Sequence, residues 1–586
     1  MQLFTRKKQE LKGPWYFQID PMRVVTSANL SQFFSKHPAD ITPKNWEKPH
    51  NWSLGGMEKI KVPGVWGALK GFENYEGTAI YCCRFSAGSA ARKSNVRSFL
   101  HFEGVLNQCE VFLNEVKAGA NIAAYAPFSV EVTGKLKAKN TLLVRVDNTR
   151  SNYNIPPFKF DWLNCGGIHQ PVSLVTVPKT FISDVRVVTK SINNNTIRAE
   201  VKVQLDGAGG KRSVNVEIPE VGFKAVLPIG ANGMGSKVFV IEAKPWTTEK
   251  PVLYKLRVKC GKDIFEDGIG FRTIEVKGTD ILLNDRPVWL RGISCHGESP
   301  KRSDRSVSKA DAEALLKLAK ELNCNFVRMA HYPHTEWMAR TADRLGLMLW
   351  AEIPIFHDPI FSAKSVITQS TEMLTALIKR DINRPSIIIW SVGNETPWIK
   401  KPSRNKLMGG LIDLARRMDP SRLLTFAGMG CDLPQRKGYR MRDVLYRKTD
   451  FTSWNEYVGW YDRRIEQLDD VLFTTDFKKP MIISETGAEA VRGSRGPKNR
   501  RWTEDNQAYY YAAKIRMFER HNFIKGATPW ILMDFKSQLR HNETQLGYNR
   551  KGLVDKDLRK KLAFGVLQKY YGKKALEYGE KPFVSC

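Results

Sequence analysis

The stretch "IIIWSVGNETPW" (387–398) runs three isoleucines and a tryptophan into Gly393, Asn394 and Glu395, just ahead of a Pro-Trp pair. Side chains branched at Cβ suit a strand buried on both faces, the environment of a parallel sheet. A polar Gly-Asn-Glu at the end of such a strand adds nothing to packing, so its place needs another reason. Seven more strand candidates surround this one: "VWLRGIS" (288–294), "FVRMAHY" (326–332), "LMLWAEI" (347–353), "LLTFAG" (423–428), "FTSWNEY" (451–457), "MIISETG" (481–487) and "TPWILMDF" (528–535). Helical segments such as "SKADAEALLKLAKELN" and "EWMARTADRLG" lie between them. Strand and helix alternating eight times over 276–586 predict a (β/α)8 TIM barrel, with its functional face at the C-terminal strand ends.

Upstream the texture differs. Residues 1–178 hold short alternating apolar segments, "SFLHFEGV", "CEVFLNEV" and "TLLVRVDN", divided by Gly and Asn turns, which predicts a β-sandwich. Residues 179–275 repeat the pattern with "ISDVRVVTK", "IRAEVKVQL" and "YKLRVKC" at the spacing of an Ig-like β-sandwich. A chain of 586 residues exceeds what one core supports, so a multidomain protein is expected. No apolar run approaches the ~20 residues of a membrane helix, and the opening "MQLFTRKKQELKGPWYF" has no hydrophobic segment of the signal-peptide kind. Nine cysteines without a CxxC pair give neither a zinc pattern nor a disulfide framework, so no metal or other cofactor is expected and Cys82 and Cys83 are read as structural thiols.

Polar residues gather at the predicted strand ends: His296 at the first, His331 at the second, Glu352 at the third, Asn394 and Glu395 at the fourth, Asn455 and Tyr457 at the sixth, Glu485 at the seventh, Trp530 and Asp534 at the eighth. Two of them, Glu395 in "SVGNE" and Glu485 in "IISETGA", are the carboxylate pair that glycoside hydrolysis needs if both face one cleft. One protonates the leaving oxygen and the other attacks the anomeric carbon.

The motifs "GNE" (393–395), "SETGA" (484–488), "HYPH" (331–334) and "FRTIEVKGTDILLNDRPVWLRGIS" (271–294) resemble glycoside hydrolase family 2, which holds β-galactosidases, β-mannosidases and β-glucuronidases. "PGVW" (64–67) and "DWLNCGGIHQPVSL" (161–174) look like that family's N-terminal jelly-roll domain, so the resemblance extends over almost the whole chain. It implies a jelly-roll sandwich, an Ig-like sandwich and a catalytic barrel in that order, matching the segmentation read from periodicity. It also implies that Glu395 is the acid/base, that Glu485 is the nucleophile, and that Asn394 binds the sugar 2-hydroxyl. His331 and Tyr457 have two readings each, contacts to the sugar and to Glu485 respectively, or polar packing in the barrel. Trp530 has a face suited to the apolar side of a pyranose. By the family pattern Asp161 reaches the edge of the site from the first domain, against the simpler reading of a loop cap.

The sugar is read from "LGYNRKGLV" (546–554). In β-glucuronidases an Asn-x-Lys at this place binds the substrate carboxylate, which implies that role for Asn549 and Lys551. Thr486 stands where glucuronidases usually carry Tyr, and Gln545 where some carry Arg; some β-galactosidases have a similar Asn-x-Lys-Gly. β-Glucuronidase is therefore set ahead of β-galactosidase.

Charge gives an argument independent of family. Lys and Arg number 92 against 60 Asp and Glu, a net +32, which attracts polyanions. Basic residues crowd the segments after the predicted strands: Lys301, Arg302 and Arg305; Lys400, Lys401, Arg404 and Lys406; Arg436, Lys437, Arg440 and Arg442; Arg492, Arg495, Lys498, Arg500 and Arg501. An anionic oligosaccharide, uronic or sulfated, is the expected partner, with neither nucleic acid nor membrane, and a homo-oligomer is compatible with the sequence. A nucleic-acid binder would explain the charge, but no zinc pattern, RNP-like motif or basic helix is present. A dead carbohydrate-binding protein would share the fold, but both carboxylates are in place.

Overall fold

The computed structural model describes residues 6–21, 23, 57–207, 212–397, 399, 401–433 and 438–583. The chain begins with two antiparallel sheets, of four and six strands, closing on a core that includes Trp15, Phe17, Trp66, Tyr81, Leu100 and Val144. In the strand Thr78–Ser86, Ala79, Tyr81, Cys83 and Phe85 enter this core at every second position, as a pleated strand dictates. Next come sheets of three and four strands. In Thr196–Asp206 the residues Ile197, Ala199, Val201, Val203 and Leu205 face inward between Arg198, Glu200, Lys202 and Gln204. The described cysteines are free and buried, and burial pushes the thiols of Cys82 and Cys83 up to about 12.

A closed parallel barrel follows: β1 (Leu290–His296), β2 (Phe326–Ala330), β3 (Met348–Glu352), β4 (Ile387–Asn394), β5 (Leu423–Met429), β6 (Thr452–Asn455), β7 (Met481–Glu485) and β8 (Ile524–Ala527). Every residue of β2, β3, β4 and β7 is buried, which is why these strands read as unbroken apolar runs. The helix Lys309–Glu321 starts at Ser308, whose hydroxyl accepts from Asp311 N while the Asp311 carboxylate returns to Ser308 N.

One predicted strand is wrong. The eighth is "IKGA", not "TPWILMDF", and the first begins two residues later than expected. Gly526 marks the reason: a Cβ there would lie 2.6 Å from Leu290 Cβ, so glycine is what lets β8 close the barrel against β1. The apolar run 528–535 instead caps the barrel top. Trp530, Ile531, Leu532 and Phe535 are buried there, and Leu532 N bonds Ser294 O at 2.9 Å.

The segment 155–165 of the first sandwich does not stay in its own core. Ile155, Phe160, Trp162 and Leu163 belong to the apolar cluster of the barrel, and Leu163 N donates to Lys536 O at 3.1 Å. Trp162 is fully buried, 5.4 Å from the His331 ring and 5.1 Å from Phe356. Burying an indole stabilises by at most on the order of 5 kcal/mol, enough to anchor the loop that carries Asp161.

Candidate active site

The end of β4 answers why Gly, Asn and Glu follow one another. A Cβ on Gly393 would sit 2.8 Å from Ile355 O, so only glycine allows the loop after β3 to close down. That loop is then held by Asn394 N to Ile355 O at 2.8 Å and His357 N to Asn394 O at 3.2 Å. The pairing register of β4 with β5 shifts between Ser391 and Asn394, and Glu395 adopts a left-handed φ of 49°. Backbone held in a sparsely populated region is a feature of functional sites, and here it turns Glu395 into the cleft.

That cleft has a volume of about 760 Å3 and lies over the barrel top. Of the residues predicted from sequence, Asp161, His331, Glu395, Asn455, Tyr457, Glu485, Trp530, Asn549 and Lys551 line it. Asn394 lies one residue before Glu395, 1% exposed, with its Oδ1 accepting from Arg328 Nη2 (2.7 Å) and Asn455 Nδ2 (3.0 Å). Its own Nδ2 has no hydrogen-bond partner among the described residues.

Besides Asn394, three ring residues do not line the cleft. Glu352 is buried beneath it, His296 bonds the Tyr332 hydroxyl at 2.9 Å, and Asp534 pairs with Lys561 at 2.7 Å and accepts from Gly552 N. Their polarity serves packing around the site.

Sequence reading missed the residue that organises this centre, Arg328 on β2. Its Nη1 donates to Glu485 Oε1 at 2.7 Å and to Ser484 O at 2.9 Å, while Nη2 donates to Glu352 Oε1 at 2.9 Å and to Asn394 Oδ1. The signal was an arginine inside the apolar strand "FVRMA", which a buried strand tolerates only where the charge is compensated. Burial would raise the Glu352 carboxyl, yet Arg328 and His331 hold it below the usual range. His331 Nδ1 lies 2.8 Å from Glu352 Oε1, leaving Nε2 3.8 Å from Glu485, and its ring stacks on Trp530 at 4.8 Å.

The two glutamates stand in different surroundings. Burial raises both; Glu395 also raises Glu485 as a neighbouring negative charge, and Asp161 raises Glu395 in the same way. Glu485 is gripped by a cation, Arg328, and by the Tyr457 hydroxyl, which donates to Oε2 at 2.7 Å. Glu395 has the neutral Asn455 amide on Oε1 at 3.1 Å and no directly bonded cation.

Lys551 is 1% exposed and donates to Tyr461 Oη (2.7 Å) and Glu489 Oε1 (3.2 Å). Gln545, at the position of the departure noted in the sequence, bonds both Glu489 oxygens at 3.0 and 2.8 Å. Asp161 pairs with Arg540, accepts from Asn549 Nδ2 at 3.3 Å and from Ser537, and so is part of the cleft wall and not a loop cap. Arg540, Glu489 and Tyr461 were not foreseen. Thr486 turns its hydroxyl to Tyr510 at 2.8 Å.

Part of the basic face expected from sequence is neutralised within the protein, while Lys301, Lys406, Arg492, Lys498 and Arg500 stay exposed. Arg305 is buried against Tyr332, and Arg404 is buried with a bidentate grip on Asp443. Arg302, Lys401, Arg440 and Arg495 pair with Asp311, Asp358, Asp476 and Asp505. Lys400, Arg436 and Lys437 lie outside the described residues. The cleft itself carries Lys159, Arg540 and Lys551 beside Asp161, Glu395, Glu456, Asp462 and Glu485. Counting charges after strands does not count their partners, so these pairs were not foreseen.

A TIM barrel whose strand ends bring two buried glutamates, one clamped by an arginine, into a cleft of sugar size defines a glycoside hydrolase. The profile "Glycosyl hydrolases family 2, TIM barrel domain" matches residues 274–575 and "Glycosyl hydrolases family 2" matches 180–272, so the chain belongs to glycosyl hydrolase family 2. Enzymes of this family work with retention. The chain is 26% identical to a β-glucuronidase of Paenibacillus borealis, over 98% of each chain, and 24% identical to that of Homo sapiens, over 98% of this chain and 92% of the other. Its fold is shared with the β-glucuronidase of Bifidobacterium dentium complexed with coumarin-3-O-glucuronide (TM-score 0.84, 22% identity, 98% of each chain). It is also shared with a β-galacturonidase of Eisenbergiella tayi bound to galacturonate (TM-score 0.79, 24% identity, 97% of each chain).

Proposed function

We propose that this enzyme is a retaining exo-β-glucuronidase, with Glu485 as nucleophile and Glu395 as acid/base. The observation that carries the roles is the contrast around the two carboxyls: Arg328 and Tyr457 bond Glu485 and favour its ionised form, while no cation bonds Glu395 and burial favours its proton. Glu485 attacks the anomeric carbon while Glu395 protonates the departing oxygen, and a covalent glycosyl ester forms on Glu485. The free Nδ2 of Asn394, its amide oriented by the two donors on Oδ1, supplies the hydrogen bond to the 2-hydroxyl. Trp530, stacked on His331, offers its face to the sugar.

For the glycone, Lys551, Asn549 and Arg540 support a uronic acid. A carboxylate entering the cleft loses water, at a cost of several kcal/mol unless charged donors replace it. Lys551 Nζ and the Asn549 amide provide such donors on one wall of the cleft. The relatives named as β-glucuronidases support the gluco configuration. The test compares kcat/KM on p-nitrophenyl β-glucuronide, β-galacturonide and β-galactoside, with NMR of the first-formed anomer. Glucuronide is expected to lead with a β product; a preference for the galactoside returns the β-galactosidase reading.

A further inference from the structure

Among the Lys and Arg residues that line the cleft, two are committed: Lys551 to Glu489 and Arg540 to Asp161. Lys159 is different. It is exposed, lines the same cleft, and has no ion-pair or hydrogen-bond partner among the described residues. It sits on the segment that Trp162 anchors to the barrel, so its backbone is held although its side chain is unpaired.

The location of Lys159 follows from the two oxygens of Glu395. Oε1 accepts from Asn455, which also bonds Asn394 and Ser484, so it faces the nucleophile side. Oε2 looks the other way, with His357 Nε2 3.9 Å from it. His357 is half exposed, follows Phe356 at the cleft wall, and feels Lys159 as a neighbouring charge. The acidic groups near it are engaged, Asp161 with Arg540 and Asp358 with Lys401. Because an acid catalyst bridges glycone and leaving group, whatever touches the outer oxygen of Glu395 is touched by the aglycone.

We infer that Lys159 and His357 form the leaving-group subsite and that it takes a saccharide bearing an anionic substituent, a sulfate or a carboxylate, on the sugar next to the scissile bond. This rests on the assignment of Glu395 as acid/base and deepens the glycosidase reading by naming the aglycone class. The unpaired Lys159 ammonium supplies the charge and the His357 imidazole a directional hydrogen bond, beside an apolar floor from Phe356. An aryl aglycone uses only the floor.

The test uses the full chain and disaccharides with one glycone, whichever wild type turns over best, joined to a neutral sugar, its sulfate ester or its uronic acid counterpart. The expected result is a kcat/KM at least about tenfold higher for one anionic acceptor than for the neutral one at low salt, with sulfate against carboxylate deciding the source. Lys159→Ala should bring that ratio close to one, and Lys159→Glu should invert it. A wild-type ratio near one, or a ratio unmoved by both substitutions, overturns the inference. The uronide reading is judged separately, on the aryl glycosides, so the two can fail independently.

Discussion

Replacing Lys551 by methionine keeps the length and apolar body of the side chain and removes only its charge. An ammonium about 4 Å from a substrate carboxylate interacts by roughly 4 kcal/mol at an effective dielectric of about 20. Water entering the vacated place recovers part of that, so a loss of about 2–4 kcal/mol in kcat/KM is expected on p-nitrophenyl β-glucuronide, roughly 30- to 700-fold. Glu489 loses a partner in the same substitution, but Gln545 Nε2 and Arg550 N still bond it. The fold cost should therefore fall at or below the lower end of the ~3–5 kcal/mol seen when a buried pair is broken. The assay is initial rate on glucuronide and galactoside side by side, with a thermal melt of each protein. A galactoside has no carboxylate and should change by less than about fivefold, the difference being the ~4 kcal/mol ceiling applied to one substrate only. An equal fall on both substrates at unchanged Tm would refute the assignment of Lys551 to the substrate carboxylate.

Glu485→Ala should abolish turnover, and azide should restore part of it with an α-glycosyl azide as product, identified by NMR. Glu395→Ala should keep activity on aryl glycosides with good leaving groups while losing it on disaccharides. Because burial raises Glu395 and its protonated form is the active one, activity of the wild type falls as pH rises through its pKa, and this alkaline limb should vanish in the variant's pH profile. Glu298, raised to about 7 by burial, with Oε2 not hydrogen-bonded and 4.0 Å from Arg305 Nη2, binds its proton more tightly folded than unfolded. Its stabilising contribution is complete below about pH 4.5 and is lost as pH rises through about 7, so Glu298→Gln should gain Tm relative to wild type between pH 6 and 8.5.

How much could be read from the chain depends on how local each signal is. Burial of a parallel strand leaves a continuous apolar run, so β4 and β7 and the polar residues at their ends were legible. "IKGA" was not, because its Gly and Lys look like a turn while the apolar cap "TPWILMDF" looks like a strand. Asn394, Glu395 and Glu485 were readable because each sits directly at a strand end. Arg540 and Asp161 are 379 residues apart, and Gln545 and Glu489 are 56 apart, so no periodicity links them. Asp161 was anticipated only through the family resemblance. The pairing within the basic clusters was hidden for the same cause: the aspartates that neutralise Arg302, Arg404 and Arg440 lie 9, 39 and 36 residues away in sequence.

On the proposed roles of Glu485 and Glu395, Arg328 explains how one site can serve both halves of a double displacement. In the free enzyme its single positive charge is shared between Glu352, whose carboxyl is held below the usual range, and Glu485. With both of those ionised, a third negative charge on Glu395 has no bonded cation beside it, and burial raises its carboxyl, which favours the proton that the proposed acid role needs. Once Glu485 becomes an ester, its negative charge is gone and Arg328 has only Glu352 to neutralise. Arg328 already lowers the Glu395 carboxyl, and loss of a nearby negative charge lowers it further, so on the proposed roles Glu395 gives up its proton more readily after the first step, as activation of water in the second requires. The switch needs no movement of the protein: it follows from one buried guanidinium bonded to two carboxylates, of which the chemistry removes one.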